Sequence, residues 1–323
     1  MARVLQDPWD LDHNVRVYDN DGTILASLQV NSDRIYVTYQ MLYRYCSMIF
    51  IIPSQQTWSL FSLLQNGTLG GYVPREDSQT LVAPGNYIVL DHQNRTPITI
   101  QLTPERAPRR VTTWDRSTQS QGQRERDRLQ SQFRRSVSAR DTACAITNAV
   151  PTFSTPTNPY GGLQASHIFP TSQLVEWNRA NYRRYITDPS PANQIGDSGL
   201  YSPQNGLFLD AAVHQMFDEF LLGVDPDAGY QIICFSADPR ELGGERLRSS
   251  ARNGTNPNNR VSADLLRWHL RMCVYRSMKG NAEPRSSWEE DLGSDDVGQI
   301  LEQPDAGERM EVELFTRLGE LVA

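Results

Sequence analysis

The chain has 323 residues, of which 38% are apolar, so it is long enough to bury a substantial core and predicts two domains or one domain with a long extension. No apolar run approaches the roughly 20 residues that span a bilayer, and the acidic N-terminus does not resemble a secretory signal. We therefore expect an intracellular protein, cytoplasmic or nuclear, with no membrane partner.

The formal net charge of −7 is unlike that of a dedicated nucleic-acid-binding domain. The four cysteines form no C-x-x-C pair, which predicts neither a disulfide-linked partner nor a Cys-rich zinc site.

The charge is unevenly distributed along the chain. Residues 104–140 contain ten arginines and four acidic residues, whereas residues 283–320 contain twelve acidic residues and three arginines. The acidic total therefore owes much to the C-terminal stretch. The basic segment, which includes Arg134, Arg135 and Arg140, could follow a phosphate backbone, and a solvated linker explains it almost as well.

The first hundred residues predict a small α+β unit. Two strands, at 15–18 and 24–30, flank the turn Asp19-Asn20-Asp21-Gly22 and form a hairpin. Apolar residues at helical spacing predict a helix over 39–50 and a second short helix over 58–64. Two further strands are predicted at 86–90 and 98–102, and this part contains no catalytic constellation.

A polar segment separates this unit from the rest of the chain. Residues 112–130 are rich in Ser, Gln and Arg, which favours a solvated linker or a polar helix. We therefore divide the chain into four parts. These are an N-terminal α+β domain at 1–110, a linker at 111–132, a central domain at 133–260 and a C-terminal helical extension packed on it at 261–323.

Three short segments of the central domain carry the candidate chemistry. They read C-A-I-T at 144–147, within a predicted strand at 142–147, then L-Q-A-S-H-I-F-P at 163–170, and S-P-Q-N-G-L-F-L-D-A-A-V-H-Q-M-F-D-E-F at 202–220. His167 ends an apolar stretch and Asn205 lies in a Pro-Gln-Asn-Gly turn. His214 follows on a predicted helix over 211–220, and a strand is predicted at 230–235 and an amphipathic helix at 261–278.

This order of residues resembles the HNH endonuclease family, in the branch with C-x-I-T, A-A-H-I-x-P and N-G-L-x-L followed by H-x-x-F-D. The segments at 177–188, 264–284 and 305–318 are also similar to those of HNH-domain proteins common in fungi. The resemblance thus covers about residues 133–320. It implies an α+β protein in which the small N-terminal domain is followed by a ββα-metal (HNH) domain with C-terminal helices.

The resemblance also implies a reaction, the metal-dependent hydrolysis of phosphodiester bonds in DNA. His167 would be the general base, a task suited to an imidazole, and Asn205 would orient it. His214 would be a ligand of a divalent metal ion, Mg, Mn or Zn, and Asp218, one helical turn later, would be a second ligand. Arg179, Arg183 and Arg184, in the insertion between His167 and Asn205, are candidate phosphate contacts.

One position departs from the pattern of many family members. Ser166 stands directly before His167, where those members place an Asp, Glu or His that binds the metal. The branch resembled here commonly has a small residue there, so the metal would rely on His214, Asp218, water and substrate phosphate. The alternative is a protein without nuclease activity that reuses the fold as an interaction module or as a small-molecule enzyme in fungal metabolism.

Overall fold

The N-terminal part of the computed structural model is built around a five-stranded sheet. The model describes residues 5, 13–30, 36–64, 66–108, 121–156 and 158–279. The elements up to residue 102 are β1 (Val15–Tyr18), β2 (Ile24–Leu28), α1 (Tyr39–Ile49), β3 (Phe50–Ile51), β4 (Trp58–Leu63), β5 (Leu69–Tyr72), β6 (Gly85–Asp91) and β7 (Gln101–Leu102). The sheet has the order β2-β1-β6-β4-β5, in which only β1 and β6 run parallel, and β3 pairs with β7 separately.

The local signals in this part predicted two elements correctly. The hairpin of β1 and β2 is confirmed, and its turn is held by Asp19, whose carboxylate accepts hydrogen bonds from the backbone N–H groups of Asp21 and Thr23. Helix α1 is also confirmed, and Thr38 caps its N-terminus. Both elements are specified by residues within a few positions of one another.

Two predictions for this part need correction. The expected helix over 58–64 is wrong, because this segment is strand β4, paired with β5 and β6 in the sheet. A short apolar run fits either structure, and here the neighbouring strands decide. The expected strand over 98–102 is reduced to the two residues of β7, which pair with β3.

The central part alternates helices with two short hairpins. Its elements are α2 (Gln121–Asp141), β8 (Leu163–His167), α3 (Leu174–Arg179), α4 (Ala192–Ile195), β9 (Gly206–Asp210), α5 (Ala211–Asp218), β10 (Leu222–Asp225), β11 (Gln231–Cys234), α6 (Ser249–Asn253) and α7 (Ala263–Val274), with a π-helical turn at Tyr275–Lys279. The expected helices over 211–220 and 261–278 and the strand at 230–235 are confirmed in α5, α7 with its π turn, and β11. The helices expected beyond residue 279 lie outside the described residues.

The polar segment before the central part is helical from residue 121. Its apolar residues Leu129, Phe133 and Val137 recur at intervals of four, so they form one stripe along α2, and all three are buried. The strand expected at 142–147 is wrong. Thr142 and Asn148 have positive φ angles, and the Asn148 N–H donates to the Cys144 carbonyl, which makes this segment a tight turn.

The N-terminal and central parts share one hydrophobic core, and the described residues belong to one compact unit. Helix α1 also contacts the central part through polar groups, because Arg44 and Tyr45 both donate hydrogen bonds to the buried carboxylate of Asp225. Burial raises the pKa of Asp225 above its ordinary value, although these two donors lower it. The domain boundaries at 110, 132 and 260 stay predictions.

Cys46, Cys144, Cys234 and Cys273 are all buried, and none of them forms a disulfide. Within the described ranges, no helix is long and apolar enough to cross a membrane.

Candidate active site

The candidate site is built on the hairpin of β8 and β9 between two helices. The strands pair antiparallel from Leu163 opposite Asp210 to His167 opposite Gly206. Helix α5 follows β9 directly and packs against the hairpin, and α2 packs against it as well. Gly206 permits the close approach of α2, because a Cβ atom there would lie 2.5 Å from the Phe133 ring. The hairpin and α5 together form a ββα unit.

Asn205 joins the end of β8 to the turn that precedes β9. Its side chain is fully buried, and its Oδ1 accepts a hydrogen bond of 2.8 Å from the Phe169 N–H. Its Nδ2 donates to the carbonyls of Phe169 and Leu200, both at 3.0 Å. The same Nδ2 lies 3.4 Å from Nδ1 of His167. Asn205 therefore holds the backbone on both sides of the site and contacts the predicted base.

His167 is held by aromatic residues and by a side chain of α2. Its ring stacks on Phe133 with centroids 3.8 Å apart and an interplanar angle of 6°, and the ring of Tyr201 meets it edge-on at 5.6 Å. Its Nε2 lies 3.1 Å from Oε1 of Gln130. The orientation of His167 thus depends on α2 as well as on Asn205.

The two predicted metal ligands lie next to each other on α5. Nε2 of His214 is 3.2 Å from Oδ2 of Asp218, and Nδ1 of His214 is 2.5 Å from Oε1 of Gln164. Ser166 is buried and donates a hydrogen bond of 3.1 Å to Oδ1 of Asp218. The result is a connected polar cluster of Gln164, Ser166, His214 and Asp218.

The predicted residues therefore fall into two pairs. Successive side chains of a strand point to opposite faces, and on β8 Ser166 points towards α5 whereas His167 contacts α2. The structure brings His167 together with Asn205, and His214 together with Asp218. The two pairs approach β8 from different sides.

The three arginines of the insertion make local contacts. Arg179 is exposed and forms an ion pair of 2.7 Å with Glu176. Arg183 donates to the carbonyl of Ile186, and Arg184 donates to the carbonyl of Ala180 while its guanidinium lies over the ring of Tyr185. Their contact with phosphate stays a prediction.

Arg140, which was a candidate phosphate contact, has a structural role instead. Its side chain is only 4% exposed and forms a charge pair with Asp141, whose side chain is fully buried. The guanidinium also donates to the carbonyls of Pro203, Gly206 and Asn259. Arg140 therefore fixes the turn that contains Asn205. Its interpretation as a phosphate contact was wrong.

Sequence reasoning did not identify Gln130, Phe133 or Gln164. Gln164 stands two positions before Ser166, so the alternation of β8 places both on the face towards α5, and this pattern was readable in the sequence. Gln130 and Phe133 carried no such signal, because they reach His167 only through the packing of α2 on the hairpin.

The N-terminus of α5 is organised by Asp210. Its carboxylate accepts hydrogen bonds from the Val213 N–H and the Thr147 hydroxyl, and it forms a two-point ion pair with Arg240 at 2.9 and 3.0 Å. Burial alone would raise the pKa of Asp210. These donors outweigh that effect, so its pKa is lower than the ordinary value.

This arrangement predicts a pH-dependent stability effect at Asp210. A lowered pKa in the folded state stabilises the protein above the unfolded-state pKa of about 3.9, and this contribution is lost as the pH falls through the lower, folded value. We expect Asp210→Asn to cost about 1 kcal/mol at pH 7, because it keeps a capping side chain but removes the negative charge that pairs with Arg240 at the N-terminus of α5. The cost should shrink below about pH 4. Urea unfolding at pH 7 and at pH 3.5 measures the loss of unfolding free energy. The control is Asp197→Asn, because Asp197 is exposed. An equal cost at both pH values would contradict the prediction.

The ββα unit carries a set of one asparagine and two histidines, and this combination points to one class of protein. The sequence model of the HNH endonuclease family matches residues 144–225, which include β8, β9, α5 and all the predicted site residues. The match confirms the resemblance to HNH endonucleases for this segment, which is about a quarter of the chain. The similarity of the flanking segments to fungal HNH-domain proteins stays a prediction. No curated protein and no solved structure matches the chain closely enough to count as a relative.

Proposed function

We propose that this protein is a metal-dependent endonuclease that hydrolyses phosphodiester bonds in DNA, in the nucleus or cytoplasm. The observation that carries the proposal is the ββα unit itself, in which Asn205 contacts His167 while α5 presents His214 beside Asp218. The family match over residues 144–225 supports nuclease chemistry, and this geometry supports the assignment of roles to individual residues.

His167 takes the proton from the attacking water. The unperturbed pKa of an imidazole is near 6.5, so a neutral ring at physiological pH can accept that proton. Asn205 supports this role because its four contacts hold the strand end and the preceding turn in a fixed relation. The base is therefore placed by a buried, fully hydrogen-bonded side chain.

His214 and Asp218 would hold the divalent metal ion. An imidazole nitrogen and a carboxylate oxygen 3.2 Å apart are suitable donors, and Gln164 fixes the His214 ring through its other nitrogen. No group of three or more His, Cys, Asp or Glu side chains that could hold a metal occurs among the residues described. A site with few protein ligands leaves positions for water and substrate phosphate, as Mg²⁺ and Mn²⁺ sites do, whereas the imidazole of His214 also suits Zn²⁺. The bound ion would neutralise charge on the scissile phosphate.

The substrate contacts are proposed for the arginines of the insertion. Arg179 and Arg184 are exposed, so a phosphate could replace their present local partners. Arg183 is partly buried and supports the turn around Gly199, where its side chain packs closely. We therefore assign phosphate binding mainly to Arg179 and Arg184.

Cleavage of supercoiled plasmid tests the proposed function. We expect nicking with Mg²⁺ or Mn²⁺ that EDTA abolishes. Asp218→Asn should raise the metal concentration needed for half-maximal nicking by roughly 10-fold or more, because it removes a charged ligand. The exposed neighbour Gln215 supplies the control Gln215→Ala, which should behave like the wild type. Wild-type protein that is inert with Mg²⁺, Mn²⁺ and Zn²⁺, or nicking that survives EDTA, would overturn the proposal.

A further inference from the structure

Helix α2 precedes the segment that matches the family, yet it supplies a polar contact to the predicted base. We propose that Gln130 is a positioning residue for His167: it holds the imidazole proton on Nε2 and so directs the ring's lone pair to Nδ1. This inference rests on the proposed function, in which His167 is the base.

The contact at Nε2 selects one tautomer. The amide oxygen of Gln130 has lone pairs but no hydrogen, so at 3.1 Å it can only accept a hydrogen bond, and Nε2 must then carry the proton. A neutral imidazole has one N–H, so its lone pair lies on Nδ1. That nitrogen is the one that takes the proton from water in this arrangement.

The contact at Nδ1 does not select a tautomer by itself. Asn205 has two hydrogens on Nδ2, and it donates to the Phe169 and Leu200 carbonyls, both at 3.0 Å. Its distance of 3.4 Å to Nδ1 of His167 is the longest of the three. Asn205 therefore fixes the backbone around the base, and the tautomer is decided at the other nitrogen.

The helix holds Gln130 in place. Leu129, Phe133 and Val137 are buried, so α2 is anchored along the face that meets the hairpin. Phe133 lies almost one turn after Gln130, and its stacking at 3.8 Å fixes the plane of the His167 ring. One helix thus sets both the plane of the ring and the position of its proton.

The amide is chemically distinct from a carboxylate at this position. A carboxylate would stabilise the imidazolium form and so hold the base protonated at higher pH, whereas the neutral amide orients the ring without adding charge. Tyr201 is an ionisable group in contact with the ring, and burial raises its pKa above the ordinary value. Arg126 and Asp127 of α2 act electrostatically on Tyr201.

Plasmid nicking rates across pH 5.5–9 test the catalytic part of the inference. We expect Gln130→Leu to lower the single-turnover rate roughly 10- to 100-fold, the range for residues that orient a functional histidine. Gln130→Glu restores the acceptor, so it should recover much of the rate while the acidic limb of the pH profile moves up by roughly one unit. Gln132→Glu adds the same charge on α2, where Gln132 pairs with Arg135, and should leave the profile unchanged.

Nitrogen NMR of the imidazole rings tests the tautomer without any nuclease activity. The chain has five histidines, so His167 is assigned by comparison with His167→Gln. We expect the Nε2–H form in the wild type and a mixture of tautomers in Gln130→Leu. A wild-type ring protonated on Nδ1, or the same tautomer in both proteins, would overturn the inference even if the enzyme cleaves DNA. An inactive wild type that shows the expected tautomers would instead overturn the proposed function alone.

Discussion

Replacement of His167 by glutamine is expected to lower the rate of plasmid nicking by about 100- to 10,000-fold, the range for the loss of a general acid–base group. Glutamine is similar in length to histidine and can still meet Gln130 and pack against Phe133, but its amide cannot accept a proton near neutral pH. The loss should therefore be in the chemical step and leave DNA binding and metal binding close to wild type.

The control for this prediction is a histidine in the N-terminal part. His92 hydrogen-bonds to Ser59 at 2.8 Å and lies outside the segment that matches the family. His92→Gln should nick plasmid at the wild-type rate, and both variants should melt within a few degrees of the wild type. A His167→Gln protein that cleaves as fast as the wild type would remove His167 from the mechanism.

The second large effect is expected at Arg140. Arg140→Met should lower the free energy of unfolding by about 3–5 kcal/mol, because it leaves the buried carboxylate of Asp141 without its charge partner. It also removes the donor that serves the carbonyls of Pro203, Gly206 and Asn259. Urea unfolding followed by circular dichroism measures the loss.

Two further variants separate the buried pair from a general effect of losing an arginine. Arg135→Met removes an exposed arginine from the same helix and should change stability by less than about 0.5 kcal/mol. The double variant Arg140→Met with Asp141→Leu should be less destabilised than Arg140→Met alone, because no unpaired charge remains buried. An Arg140→Met protein within about 1 kcal/mol of the wild type would show that the pair does not stabilise the fold.

The correct and incorrect element predictions differ in the range of the interactions that decide them. The hairpin at Asp19 and helix α1 follow from a turn, a cap and an apolar period, all local in the chain. Residues 58–64 were predicted as a helix, because Trp58, Leu60 and Leu63 are compatible with either period. The pairing of β4 with β5 and β6 makes this segment a strand, and its partners in β6 lie 23 to 33 residues further along the chain.

The predictions for the candidate site also differ in whether local or long-range interactions decide them. The sequence by itself determined the resemblance of residues 144–225 to HNH endonucleases, because the motifs are short and local, and this resemblance implied the ββα unit that the structure contains. The roles of His167, Asn205, His214 and Asp218 stay predictions. Only the tertiary structure decided that Gln130 and Phe133 contact His167. It also decided that Arg140 is buried against the turn that contains Asn205. The physical reason is that a side chain's partners across a helix–sheet interface depend on how two elements pack, which the order of residues within either element does not specify.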